Sequence, residues 1–217
     1  MSSVSFVVPV FNKSLYLKHV VNSILSQKGD FDKEYIFIDD GSTDDSLRVL
    51  KKETRKLKNC KIISQKNKGS AYATNVGINL AKMKYIKFLD ADDIIIQDAT
   101  ISLMKILESN PNAVLAYGLQ RKVTNIKLVK LKENFDHKNY EIVKNHLKKA
   151  MRNSMFNPTQ FLARSKECKL VNGCDERIVH SQEYSLTLRL ARLGSFFKLN
   201  YPVAVLPFEA PGQISEK

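Results

Sequence analysis

The sequence predicts an α/β protein built on an open, mostly parallel sheet, and three observations carry that prediction. Short apolar runs rich in β-branched residues recur at residues 4–10, 35–38, 61–63, 85–89 and 113–117. A stretch with helical apolar spacing separates each run from the next, and the first four runs close on polar turns carrying Asn, Asp or Gly. Strands alternating with helices at this spacing join by right-handed crossovers, so their carboxyl ends share one edge of the sheet. Ligands bind such sheets at that edge.

Each element has a local reason. Val4, Phe6, Val7, Val8 and Val10 make a first buried strand, closed by Pro9. After a loop of Phe11, Asn12, Lys13 and Ser14, apolar residues at Leu15, Val20 or Val21, Ile24 and Leu25 predict an amphipathic helix, with Ser14 as N-cap and Gly29 as terminator. Tyr35, Ile36, Phe37 and Ile38 form a second strand, and Asp39, Asp40, Gly41, Ser42 and Thr43 a turn that caps a helix over residues 44–56. A third strand at 61–63 leads through Asn67, Lys68, Gly69 and Ser70 into a helix with Ala73, Val76, Gly77, Leu80 and Ala81 inward. The strand at 85–89, a helix over 97–108 and a strand at 113–117 complete the regular part. Beyond it, 123–131 reads as a strand with Lys127, Lys130 and Lys132 on an exposed face. Residues 139–152 read as one helix with Ile142, Val143, Leu147, Ala150 and Met151 inward, and 157–163 as a loop entering a strand. Residues 171–176 form a turn, and 182–193 a helix capped by Ser181 and stopped by Gly194.

The strand at 85–89 ends abruptly in Asp90, Ala91, Asp92 and Asp93. A buried strand carries acids only where its end opens to solvent or to a cation. Asp90 and Asp92 point the same way in extended backbone, and two like charges that close suit a hard divalent ion. The alternative is a helix start, whose dipole also favours acids. Asp39 and Asp40 end a second strand, and with the loops at Phe11–Asn12 and Lys68–Gly69 they are expected to converge on one rim.

With 217 residues and 43% hydrophobic content, the chain buries one substantial core. No apolar run reaches the roughly 18 residues of a membrane span, and Met1, Ser2 and Ser3 lead straight into a strand without a secretory leader, so the expected location is the cytoplasm or the inner face of the membrane. Cys60, Cys168 and Cys174 form no C-x-x-C pair and read as reduced thiols. Residues 1–110 hold 17 Lys and Arg against 13 Asp and Glu, and residues 111–217 hold 18 against 9. The second half is the more basic, which suits an anionic partner or simple solubility. The absence of Gly-x-Gly-x-x-Gly and of Gly-x-x-x-x-Gly-Lys-Ser/Thr removes the dinucleotide-binding and P-loop readings of the same pattern.

Four stretches in order and register resemble glycosyltransferase family 2, the inverting, nucleotide-sugar-dependent enzymes with a GT-A fold. They are Phe6 to Asn12, Phe37 to Asp44, Asn67-Lys68-Gly69 leading to Asn75-Val76-Gly77-Ile78, and Phe88 to Asp93. Further on, Asn172 to Glu176 and the helix start at Gln182-Glu183 resemble later family motifs. The resemblance implies a Rossmann-like, mostly parallel sheet flanked by helices with a small acceptor-side subdomain: a donor-binding half at 1–110 and an acceptor-side half at 111–217 of one compact domain. It implies that Asp39 reads the base and that Pro9, Val10, Phe11 and Asn12 help hold the nucleotide. Lys68, Gly69, Asn75, Asp90 and Ala91 complete the donor site, with Asp92 on Mn²⁺ or Mg²⁺ and Glu183 as catalytic base. Glu183 also reads as an ordinary first-turn acid, and Lys68 as a solvated loop lysine. The implied donor is a UDP-sugar and the implied acceptor a saccharide or lipid-linked saccharide, with peripheral membrane association and no nucleic acid. Departures are Gln182 and Glu183 where Glu-Asp is usual, and Thr74 where arginine is common. The alternatives are a nucleotidyltransferase, or an inactive relative whose basic half docks on a membrane or nucleic acid.

Overall fold

The computed structural model describes residues 2–132, 139–179 and 181–208. In chain order its elements are β1 (Ser3–Val10), α1 (Leu17–Leu25), β2 (Asp32–Asp39), α2 (Ser46–Glu53), β3 (Cys60–Ser64), α3 (Ser70–Leu80), β4 (Tyr85–Phe88) and β5 (Ile94–Ile95). There follow α4 (Ala99–Ser109), β6 (Ala113–Val123), β7 (Tyr140–Ile142), α5 (His146–Arg152), β8 (Phe161–Arg164), α6 (Ser165–Leu170), α7 (Gln182–Leu190) and β9 (Ser195–Pro207). Among the described residues, nine strands form one sheet in the order β3-β2-β1-β4-β8-β6-β9-β5, with β7 on β9.

The first four strands of that order are parallel, so their carboxyl ends lie together: Val10 sits opposite Asp39, Asp39 opposite Ser64, and Val7 opposite Phe88. β8 runs antiparallel between β4 and β6 and carries the sheet from residues before 110 into residues after it.

Helices cover both faces, which is why β1 and β2 read as nearly continuous apolar runs. Phe6, Val8, Val10 and Phe37 join α1 and α4 in one core layer, while Val7, Ile36 and Ile38 join Ala71, Ala73 and Ile78 of α3 in the other. Helix α3 approaches the sheet closely at Gly77, one of the small inward residues, where an added Cβ would stand 2.2 Å from Val7 Cγ1.

Several elements differ from the sequence expectation. Helix α1 starts at Leu17 with no side-chain cap and ends at Leu25, before Gly29. Ser14 instead donates its N–H to Asp44 Oδ2 at 3.1 Å, because residues 11–14 are drawn onto the β2–α2 turn. The basic stretch at 123–131 is not a strand: β6 extends to Val123 and a single 3-10 turn, Ile126–Leu128, follows with Ile126 buried. Residues 139–152 are not one helix either. Tyr140–Ile142 pairs with β9, the Val143 N–H donates to the Phe196 carbonyl at 2.8 Å, and left-handed Asn145 turns the chain into the short α5. Val143 and Ala150 are buried, but Ile142, Leu147 and Met151 are exposed. Ser181 precedes α7 in left-handed backbone without a side-chain cap, and α7 stops at Leu190. Helix α6 and strand β9 had no counterpart in the sequence reading.

Candidate active site

The site starts from the loop after β1, which clamps the two acidic loops. Asn12 adopts left-handed backbone (φ 52), and its Oδ1 accepts from the Thr43 N–H at 2.8 Å and the Asp44 N–H at 3.3 Å. Its own N–H donates to Ser42 Oγ at 3.1 Å. The next residue, Lys13, places its ammonium 2.7 Å from Asp92 Oδ2 on the turn after β4. One loop therefore ties the Asp39–Asp40 turn and the Asp90–Asp93 turn to the same edge.

On the β2 side, Asp39 is buried, and Ser64 Oγ donates to its Oδ2 at 3.0 Å. Its Oδ1 is also buried and has no hydrogen-bond partner among the described residues. A buried carboxylate oxygen left unpaired is costly, and a ligand N–H would satisfy it. Asp40 is different: Gln65, the Lys68 N–H and the Gly69 N–H all donate to it, at 2.7, 3.0 and 2.8 Å. It anchors the loop that opens α3.

Around β4 the charges are dense. Asp93 is buried and accepts from Thr159 Oγ1 at 2.6 Å, while the same hydroxyl accepts from the Asp90 N–H at 3.0 Å. Lys87 is fully buried beneath them; its ammonium donates to the carbonyls of Thr159, Phe161 and Phe88. Burial lowers the Lys87 pKa to about 7, against the pull of Asp93 and Asp90. Burial raises Asp93 well above the ordinary carboxylate range, and Asp90 and Asp92 push it further. Asp90 is raised by the same order of causes, burial first and then Asp92 and Glu183, with Lys13 and Lys87 opposing. These groups share one electrostatic site.

Glu183 lies in the first turn of α7, is buried, and accepts from Ser154 Oγ at 2.6 Å. Burial raises its pKa, and the serine hydrogen bond pulls it back. Glu183 and Asp90 line one small pocket with Pro9, Thr74, Phe88 and Pro158. Residues from both sequence halves meet there, Pro9 and Asp90 from the strand ends and Pro158 and Glu183 from the second half. His180, three residues before Glu183 in the sequence and close enough there to tune it, lies outside the described residues.

The other sequence candidates are placed as follows. Val10 is core, and its carbonyl accepts from the Asp40 N–H at 2.8 Å. Phe11 is exposed and Ala91 buried. Gly69 (φ +91) has open space where a Cβ would lie, and the Lys68 ammonium is 3.2 Å from Tyr72 Oη, over that ring. Asn75 is not at the acidic rim contacts: its amide donates to Glu176 Oε1 and the Cys174 carbonyl, and its Oδ1 accepts from the Cys174 N–H at 2.7 Å. It fastens α3 to the 172–176 turn. Sequence reasoning weighed Thr159 only as one residue of a loop that could line an acceptor pocket, and it missed Lys13, Lys87 and Ser154 as members of the site. Lys13 is next to a matched motif, but its partner lies 79 residues away.

Among the described residues, no three His, Cys, Asp or Glu side chains are grouped to hold a metal ion. The oxygen-only pair of Asp90 and Asp92 does fit a cation that takes one or two carboxylates and completes its shell with phosphate oxygens and water, as Mg²⁺ does. Burial and the neighbouring Asp92 raise the Asp90 carboxyl, and such an ion relieves that strain.

The sheet order, the helical cover and the acidic rim define a GT-A fold. Comparison with solved structures agrees: S. aureus TarS 1-349 in complex with UDP-GlcNAc superposes with a TM-score of 0.78 at 19% identity, over 100% of this chain and 61% of that one. TarS 1-349 in complex with UDP gives 0.74 at 18% identity, over 96% and 61%. The family model for glycosyl transferase family 2 matches residues 5–168, and the chain belongs to that family. Relatives include Escherichia coli chondroitin synthase, 31% identical over 91% of this chain and 28% of that protein, and Pasteurella multocida hyaluronan synthase, 30% identical over 91% and 19%. The chain thus spans less than a third of the length of these two relatives.

Proposed function

We propose that this chain is the catalytic domain of an inverting glycosyltransferase that moves a sugar from a UDP-sugar to an acceptor hydroxyl with the help of Mn²⁺ or Mg²⁺. The observation that carries the reading is the clamped rim: unpartnered Asp39 Oδ1, the Asp90–Asp92 turn and buried Glu183 are joined by one loop and one pocket. The UDP and UDP-GlcNAc complexes of TarS support the donor class.

In this reading Asp39 accepts an N–H of the base, and the backbone of Pro9, Val10, Phe11 and Asn12 borders the nucleotide. Asp90 and Asp92 face the ribose and diphosphate, and Asp92 holds the divalent ion. That ion, when bound, acts as a Lewis acid that neutralises charge on the departing diphosphate. Lys68 and Gly69 border the donor, and Asn75 serves it indirectly by holding the 172–176 turn. Glu183 takes the proton of the acceptor hydroxyl as that oxygen bonds to the anomeric carbon and the bond to the diphosphate breaks. Its raised pKa suits a base near neutral pH, and Ser154 fixes the carboxylate. The acceptor is a saccharide or lipid-linked saccharide, and the exposed basic face of α5 favours work at an anionic membrane face.

The test is a thermal-shift screen of nucleoside diphosphates and nucleotide sugars with and without Mn²⁺. The expected result is a rise in melting temperature with UDP or a UDP-sugar plus Mn²⁺, by mass action on the folded state. Asp92→Asn is expected to keep the fold, lose the Mn²⁺-dependent part of that shift and lose transfer. No shift with any activated sugar overturns the proposal, and release of pyrophosphate rather than UDP would favour a nucleotidyltransferase.

A further inference from the structure

Lys13 is fixed from both sides. Asn12 before it is tied to Thr43 and Asp44, and the Lys13 N–H donates to Ser46 Oγ at 2.7 Å. Its ammonium reaches Asp92 Oδ2 at 2.7 Å, with only 11% and 10% of the two side chains exposed. A pair this sheltered is far less screened than a surface contact, and separating it leaves a buried charge without its partner. The same contact occupies one oxygen of the carboxylate assigned above to the divalent ion. A cation arriving alone must compete with an ammonium for Asp92. A cation arriving with a diphosphate meets a different balance, because phosphate oxygens offer the ammonium a new anion within the same rim.

We propose that Lys13 couples the two binding events: it holds Asp92 back from a divalent ion until the diphosphate is present, then passes to a phosphate oxygen and becomes the second cation on the leaving group. This inference rests on the donor reading above. Linkage makes the coupling reciprocal, so the ion must strengthen diphosphate binding by the factor by which the diphosphate strengthens ion binding. UDP also chelates Mn²⁺ directly, and that contribution is common to every variant; the difference between variants isolates Lys13.

The experiment is a Mn²⁺ titration followed by electron paramagnetic resonance, with and without saturating UDP, on the whole chain and on Lys13→Gln and Lys13→Arg. Lys13→Gln is expected to bind Mn²⁺ alone about fivefold or more tightly than the unaltered chain, to bind UDP more weakly, and to lose a comparable factor of the coupling. Lys13→Arg keeps the charge and is expected to retain most of the coupling. Lys13→Met repeats the removal with an apolar side chain of similar length, should the Gln variant fail to fold. If the unaltered chain binds Mn²⁺ and UDP and the charge-removing variants show the same ion affinity and the same coupling, the inference is overturned while the donor reading stands. If the unaltered chain binds neither, the donor reading fails and takes the inference with it.

Discussion

Glu183 and Lys87 are buried ionisable groups whose pKa values move in opposite directions, and each makes a prediction. Burial raises the Glu183 carboxyl, and Ser154, donating at 2.6 Å, lowers it again. In the proposed reaction Glu183 works only as carboxylate, so the acid limb of kcat/KM should lie above the ordinary Glu value of about 4.3. Ser154→Ala removes the lowering contact and should move that limb to higher pH, with activity lost more at pH 6 than at pH 8. A limb that does not move would show that Ser154 serves packing alone. Because the folded Glu183 holds its proton more tightly than the unfolded chain, its contribution to stability falls as pH rises through its shifted range. Lys87 has the reverse sign. Its folded pKa, lowered to about 7 from 10.5, means that the unfolded chain binds more protons between those values, so this contribution rises with pH there. Replacing Lys87 with Met strands three carbonyls and leaves Asp93 without its buried counter-charge. The expected loss in urea unfolding at neutral pH is about 3 kcal/mol, and a loss under about 1 kcal/mol would show that the ammonium contributes little.

Helix α3 shows what an element needs in order to bring the rim together. Its Gly77 lies so close to β1 that a Cβ would meet Val7 Cγ1 at 2.2 Å, and Val7 is fully buried between the layers. Gly77→Ala should therefore destabilise the fold by about 2 kcal/mol despite the better helix propensity of alanine. Unchanged denaturant midpoints would mean that the helix shifts freely. This element was legible in the sequence, as were β1, β2, β4 and the helices between them, because a strand buried on both faces and a one-faced helix each leave a pattern within ten residues. The acidic loops were legible for the same reason: strand ends with Asp are local signals. What the sequence hid is non-local. Tyr140–Ile142 is a strand only because β9 lies beside it, and the 3-10 turn at Ile126–Leu128 replaces an alternating pattern that pairs with no strand among the described residues. Helix α6 is six residues long, too short to show periodicity. Within the site, Lys13 and Lys87 became visible only through partners 79 and 72 residues away.

At the scale of the molecule, positive charge and exposed apolar side chains coincide on and beside α5. On and beside α5, Lys144, Lys148, Lys149 and Arg152 are exposed, and Leu147 and Met151 stand out of the same short helix, 38% and 63% exposed. That helix packs near Glu183 as well, since the Tyr184 hydroxyl donates to the Met151 carbonyl at 3.1 Å and Ser154, just past α5, donates to Glu183. A surface that touches an anionic leaflet there would present a membrane-held acceptor next to Glu183, the base of the proposed reaction. No helix among the described residues is long and apolar enough to cross a membrane. Each exposed lysine close to an anionic leaflet contributes about 1 kcal/mol, and salt screens that contribution over a Debye length of about 8 Å at physiological ionic strength. The chain should therefore float with vesicles containing phosphatidylglycerol, float poorly with neutral phosphatidylcholine vesicles, and release as salt is raised. Lys148→Glu with Lys149→Glu should abolish flotation without changing UDP binding, and Leu147→Ser with Met151→Ser should weaken it at every salt concentration. Equal flotation on neutral and anionic vesicles, or none on either, would mean that the basic charge serves solubility and that the acceptor reaches Glu183 from solution.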